Sequence, residues 1–217
     1  MTLRTPWLVL ALAASACGAP ADEVATAGSA GAATSGSEGA APADGVYGRV
    51  PRAVGGVPSV VLLEAQDVPT PARESAAKID QFGLQFSPRF LIAPVGESMS
   101  FRNSESIAHN VMVRSVASSE MLLNADTPPG DSLLFVLEEP GGYDVACEVH
   151  PGMTAFIYAT NATYAAFAET DGAFAISGVP AGEYTMRVWS VDPAGRSERT
   201  VRVSDGAATE AVVSPTG

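Results

Sequence analysis

Cys147, His150 and Met153 fall in one short run, Cys147-Glu148-Val149-His150-Pro151-Gly152-Met153, with the spacing C-x2-H-x2-M. Pro151-Gly152 makes this run a tight turn rather than a helix. Gly141-Gly142-Tyr143-Asp144-Val145-Ala146 reads as a strand leading in, and Thr154-Ala155-Phe156-Ile157-Tyr158 as a strand leading out. A loop held between two strands at one end of a β-sandwich brings a thiolate, an imidazole and a thioether to one point. That donor set suits copper in a trigonal site with a weak axial thioether. Such a site needs a second imidazole. The chain has two histidines, and the other is His109, in Ile107-Ala108-His109-Asn110-Val111. His109, Cys147, His150 and Met153 are therefore the candidate ligands of one mononuclear copper ion.

Taken singly, each of these residues has a plain structural reading: a lone cysteine packs as a small hydrophobe, and a lone methionine fills a core gap. The case rests on their joint spacing. Zinc is poorly served by an axial thioether. A c-type haem needs C-x-x-C-H, which the sequence lacks, and a binuclear copper centre needs two cysteines in the loop where only Cys147 stands. Other polar groups form no comparable set. Glu120, Asp126, Asp131, Glu138 and Glu139 read as a solvated loop face, Arg187 and Arg199 as exposed strand charges, and Asn161-Ala162-Thr163 as a coincidental glycosylation sequon. No nucleophile–base pair is found, so no catalytic residue is assigned.

The elements that must position the ligands are short and β-type. From residue 45 onward, apolar runs alternate with turn signals, and no stretch carries a sustained 3.6-residue period. Strands are expected at 46–50, 59–63, 79–86, 89–95, 98–103, 110–114, 133–137 and up to Cys147, with mostly polar loops around one short element over 115–132. A later series covers 163–168, 173–176, 184–189, 199–203 and 210–213, with Asp171-Gly172 as a hairpin turn. The expected fold class is all-β: two sandwiches, one over residues 78–160 and a smaller one over 161–217. Residues 45–66 have two placements. They are either the first strands of the smaller sandwich, with the copper domain inserted between surface loop ends, or the first strands of the copper domain itself.

Residues 1–16 read as a signal peptide: Arg4, an apolar run from Trp7, and a small-residue end at Ala14-Ser15-Ala16, too short to span a membrane. Residues 17–44 read as a disordered Ala/Gly/Ser-rich tether with a reach of roughly 30 Å. The chain's two cysteines are Cys17 and Cys147. Cys17 stands where a bacterial lipoprotein is acylated, although Ala14 replaces the usual leucine. A lipid anchor to a bacterial membrane through Cys17, or a free periplasmic protein, is expected. The charge is acidic, 12 Lys+Arg against 24 Asp+Glu for a net −12, which argues against nucleic acid or an anionic membrane surface as partner.

Residues 79–160 resemble the plastocyanin/amicyanin group of cupredoxins. The resemblance is carried by Phe86-Ser87-Pro88, by Val95-Gly96-Glu97-Ser98-Met99-Ser100-Phe101-Arg102-Asn103, by Ala108-His109-Asn110-Val111 and by the run from Pro140 to Met153, whose short His150–Met153 gap is amicyanin-like. It implies a Greek-key sandwich, a monomer, and electron exit through His150, with Val149, Pro151, Gly152 and Met153 in a docking patch. It also implies that Asn110, beside the first ligand, ties the two ligand loops together. The last unit resembles carboxypeptidase-regulatory, transthyretin-like modules through Thr170-Asp171-Gly172-Ala173-Phe174 and Val179-Pro180-Ala181-Gly182-Glu183-Tyr184, one residue short in the first turn. The function so implied is a one-electron carrier docking to redox protein partners. The alternatives are a copper-delivery protein and an accessory binding module with a structural copper site.

Overall fold

A computed structural model describes residues 44–65 and 76–211. The leader at 1–16, the tether with Cys17 and the last residues lie outside the described residues. The elements are all strands apart from one 3-10 turn, Pro193–Gly195. In chain order they are β1 (Gly45–Arg49), β2 (Val60–Glu64), β3 (Lys78–Gln81), β4 (Phe86–Ser87), β5 (Phe90–Ala93), β6 (Ser98–Asn103), β7 (His109–Ser115) and β8 (Met121–Thr127). There follow β9 (Ser132–Val136), β10 (Gly141–Ala146), β11 (Thr154–Ala159), β12 (Tyr164–Phe167), β13 (Ala173–Ile176), β14 (Gly182–Trp189), β15 (Ser197–Val203) and β16 (Ala208–Glu210).

The strands form four sheets. The order β5-β11-β10-β7-β8 faces β4-β3-β6-β9 across a core of Ile79, Phe86, Met99, Phe101, Val111, Val113, Leu137, Tyr143, Val145 and Ile157. The order β12-β2-β14-β15 faces β13-β1-β16 across Val46, Leu63, Phe174, Tyr184, Met186, Val188 and Val201. β1 pairs with β13 and β16, and β2 with β12 and β14, so the first two strands lie in sheets with strands from the end of the chain.

The two sandwiches meet where strands are apolar on both faces. In β2, Val61 and Leu63 enter the smaller core while Val60 and Leu62 face the other way. In β11, Ala155, Ile157 and Ala159 enter the larger core while Phe156 and Tyr158 meet Val60, Leu62, Ala162 and Trp189. Alternation with period two puts successive side chains on opposite faces, so an unbroken apolar run such as Val60-Val61-Leu62-Leu63 is what a strand covered on both sides requires. Trp189 packs between Phe156 and Tyr158, with ring centroids at 5.4 and 5.2 Å.

Two local expectations change and one is sharpened. The one short element expected within 115–132 is β8, a seven-residue edge strand paired with β7. The expected strand over 79–86 is two short ones, β3 and β4, separated by a turn. The turn at 169–172 does not join paired strands: β12 lies in the sheet of β2 and β13 in the sheet of β1, so the turn crosses between layers. Gly172 has φ +90°, and a Cβ there would sit 2.1 Å from the Val50 carbonyl oxygen, which restricts the position to glycine.

Candidate metal centre

Three strand ends build the centre. His109 is the first residue of β7, and Cys147 follows the last residue of β10. The loop from Cys147 closes on itself: Cys147 N–H donates to Met153 O at 3.0 Å, and Met153 N–H donates to His150 O at 3.2 Å. Gly152, at φ +91°, supplies the left-handed conformation the turn needs. His109 and Cys147 are buried, at 1% and 4% exposure, and His150 is half-buried.

The donor atoms converge. Cys147 Sγ lies 3.7 Å from His150 Nδ1 and 3.9 Å from His109 Nδ1, and the two Nδ1 atoms are 3.0 Å apart. Three donors placed in a plane at ordinary metal–nitrogen and metal–sulfur distances of about 2.0–2.3 Å would stand roughly 3.5–3.9 Å from one another. The observed triangle is near that size, and its closest side joins the two imidazole Nδ1 atoms. The donor set, one thiolate sulfur and two imidazoles, is the borderline-soft set that copper takes. The residues present fit a single metal ion. Met153 is 2% exposed and packs in the same apolar cluster as Cys147.

The surroundings fix the ligands. Asn110 Oδ1 accepts from Glu148 N–H at 3.5 Å and Asn110 Nδ2 donates to Asn124 Oδ1 at 2.7 Å, while Asn124 Nδ2 donates to Glu148 Oε2 at 2.9 Å. Strand β7, strand β8 and the Cys147 loop are thereby joined. Glu105 Oε2 lies 3.2 Å from His109 Nε2, and its other oxygen accepts the Leu84 N–H at 2.7 Å. The Leu84 N–H and the neighbouring His109 hold the Glu105 carboxyl below the usual carboxylate range, against a smaller upward push from desolvation. Asn103, fully buried, organises the loop between them: its Nδ2 donates to Ile107 O and Thr127 O at 2.8 Å each, and its Oδ1 accepts from Glu105 N–H at 2.9 Å.

Residues 73–159 match the family model described as copper binding proteins, plastocyanin/azurin family. This segment is a cupredoxin domain. It carries the whole His109–Cys147–His150 cluster. A second model, polysaccharide lyase family 4, domain II, matches residues 147–211 and agrees with an additional β-module after the cupredoxin strands. A search of curated proteins gave no match. Among solved structures, the chain is similar to a purple cupredoxin from Nitrosopumilus maritimus, at 26% identity over 39% of this chain and 99% of that one, with TM-score 0.35. It is also similar to a reduced amicyanin variant, at 19% identity over 46% and 98% with TM-score 0.37. A copper-containing nitrite reductase from Thermus scotoductus SA-01 matches at 21% identity over 46% of this chain and 25% of that one, with TM-score 0.37.

The cupredoxin's His109, Cys147 and His150 come together as one group of potential metal donors. Residues that the ligand spacing did not disclose are Glu105, Asn103 and Asn124. Glu105 had one available signal, a carboxylate four residues before the ligand histidine. The hydrogen bonds of Asn103 and Asn124 depend on pairing across strands and leave no local pattern.

Among the eight large apolar side chains that stand exposed in the described residues, Phe82, Leu84, Ile107 and Val149 belong to the loops at this end. The exposed carboxylates of Asp126, Asp131 and Glu148 lie on the same loops and strand ends.

Proposed function

We propose that the chain is an exported one-electron carrier that docks to redox proteins, and that Cys147, His109 and His150, with Met153, would hold one type 1 copper ion. The observation that carries this reading is the convergence of one thiol sulfur and two imidazole Nδ1 atoms at a buried point beneath an exposed apolar patch. When bound, the metal supplies a one-electron cycle between its cuprous and cupric states. The chain's own residues do the rest. Glu105 accepts from His109 Nε2–H and so leaves the Nδ1 lone pair facing the site. Asn110, Asn124 and Glu148 hold the two ligand loops in register, which limits movement of the donors when the charge of the site changes. Val111, Val145 and Ile157 keep water from the buried side.

Cys147, His109 and His150 would all be taken up as ligands, and with Met153 as a fourth donor no position would be left for a substrate; the reading is therefore a carrier. The apolar patch with its acidic flank suits weak, fast docking of a partner with a basic rim. The reading also places the chain in a bacterial envelope, as a monomer, free in the periplasm or anchored through an acylated Cys17. The mass of the mature N-terminus tests the anchor: an unmodified terminus at or beyond Cys17 removes it.

The main test is the optical and EPR spectrum of the oxidised, copper-loaded protein. An intense thiolate-to-copper band in the visible, lost in Cys147→Ser, is expected. Copper binding without such a band, or a band that persists in Cys147→Ser, overturns the assignment.

A further inference from the structure

The turn after β3, Phe82-Gly83-Leu84-Gln85, holds two apolar side chains in solvent, with Phe82 67% and Leu84 52% exposed. Leu84 sits at φ +56°, a left-handed conformation that a bulky side chain seldom adopts. Two hydrogen bonds hold it there. Phe82 N–H donates to Gln85 O at 3.0 Å, and Leu84 N–H donates to Glu105 Oε1 at 2.7 Å. The second oxygen of the same carboxylate lies 3.2 Å from His109 Nε2. One largely buried side chain, 14% exposed, thus spans from the exposed turn to the ligand imidazole with one oxygen on each.

We propose that this turn is the arm of the docking surface that is coupled to the metal centre. A redox partner with an apolar face rimmed by lysines or arginines seats on Phe82, Leu84, Ile107 and Val149, and Glu105 transmits the position of the turn to His109. The inference rests on the electron-carrier reading above. The basic rim follows from charge: the exposed groups at these strand ends and loops are Asp126, Asp131 and Glu148 against one cation, Arg102, on a chain of net −12. The coupling follows from geometry. Because both oxygens of Glu105 are engaged, Leu84 cannot shift without moving the carboxylate, and the carboxylate sets the orientation and basicity of the imidazole it accepts from. Such coupling is reciprocal: if the turn biases the metal site, the metal site must bias the turn.

Reciprocity gives the test, without an identified partner. In the full chain, amide hydrogen exchange of Leu84 is measured with and without copper(I), alongside that of Met153, whose N–H closes the ligand loop. Loading slows the Leu84 amide by about tenfold, the lower range of usual coupling factors. Glu105→Gln keeps the turn and cuts the link. Its Oε1 still accepts from Leu84 N–H, but its NH2 then faces His109 Nε2–H, donor against donor. In that variant the copper response of Leu84 shrinks to within about twofold, the response of Met153 remains, and the midpoint potential rises because a negative charge beside the ligand is gone. A Leu84 amide indifferent to copper while Met153 responds, or a Leu84 response that survives Glu105→Gln, overturns the coupling and leaves the carrier reading standing. If neither amide responds and the visible band is missing, both fail.

The docking arm is read separately. The double variant Phe82→Ser/Leu84→Ser slows electron transfer to a lysine-rimmed c-type cytochrome, used as the probe, by about tenfold at low ionic strength, with copper still bound. An unchanged rate removes the turn from the docking surface.

Discussion

Gly142, buried in β10, lies where Trp189 of the smaller sandwich packs against the copper-binding one. A Cβ at this position would stand 2.7 Å from Phe156 Cζ and 2.7 Å from Trp189 Cη2 and Cζ2. All three contacts are with aromatic rings packed on one another, Phe156 and Trp189 having centroids 5.4 Å apart, so neither ring can retreat alone. Gly142→Ala therefore overpacks the junction. Overpacking costs about 1–3 kcal/mol, and the stiffer unfolded chain returns about 0.4–1 kcal/mol. The net loss is about 1–2 kcal/mol, or roughly 2–8 °C in Tm for a chain of this size. The partner responsible is identified by a double-mutant cycle measured by urea unfolding. Trp189→Ala is itself destabilising, but it opens space beside residue 142, so Gly142→Ala should cost about 0.5–2 kcal/mol less in that background. The cost does not vanish, because Phe156 Cζ remains. Additivity of the two substitutions within about 0.5 kcal/mol, or a higher Tm for Gly142→Ala alone, refutes the claim that the glycine is there to admit the tryptophan.

Other outcomes follow from individual hydrogen bonds. Asn103→Ala removes two donated bonds and one accepted bond from a fully buried side chain; it should cost about 2–4 kcal/mol in denaturant unfolding and speed copper loss to a chelator, since the loop to His109 loses its anchor. Asp171 has its carboxyl held below its ordinary value near 3.8, first by the Ala173 N–H and then by Arg49. A depressed folded-state pKa contributes stability above the unfolded value and loses it as pH falls through the lowered one. Asp171→Asn should therefore flatten the acid limb of the stability curve below about pH 4, and an unchanged limb by pH-dependent thermal unfolding removes this carboxylate from the account.

The site was more legible than the fold around it. Ligand chemistry is local: the C-x2-H spacing within one turn brings Cys147 and His150 together, and a chain with two histidines leaves His109 as the partner, as the structure places it. Strand β6 was legible for the same reason, since Met99, Phe101 and Asn103 alternate inward with period two. Strand β8 was legible only as one short element among polar loops, not in its length or pairing, because a solvated edge strand lacks a clean apolar alternation. The placement of β1 and β2 was also undecided. Their apolar runs could pack in either sandwich, and the pairing of Val61 with Ala166 and Val188 spans more than a hundred residues that no local pattern encodes. Glu105 escaped because its role depends on a turn that precedes it by some twenty residues and approaches it only through strand pairing.

The register of the strands explains how a copper-binding sandwich can sit within another sandwich and still present its site. β3 runs parallel to β6, with Gln81 opposite Asn103 and Lys78 opposite Ser100, so the chain enters at the end away from the ligands. β11 starts beside Met153 and runs six residues, about 20 Å, before the chain leaves for β12. Both covalent connections therefore lie at the far end, and the junction is carried by the outward faces of β11 and β2, through Phe156, Tyr158, Val60 and Leu62. An insertion joined in this way fixes the domain along one flank and leaves the loops of His109, His150 and the turn after β3 uncovered. Phe82 and Val149 on those loops accordingly stay exposed, where the junction buries Phe156 and Tyr158.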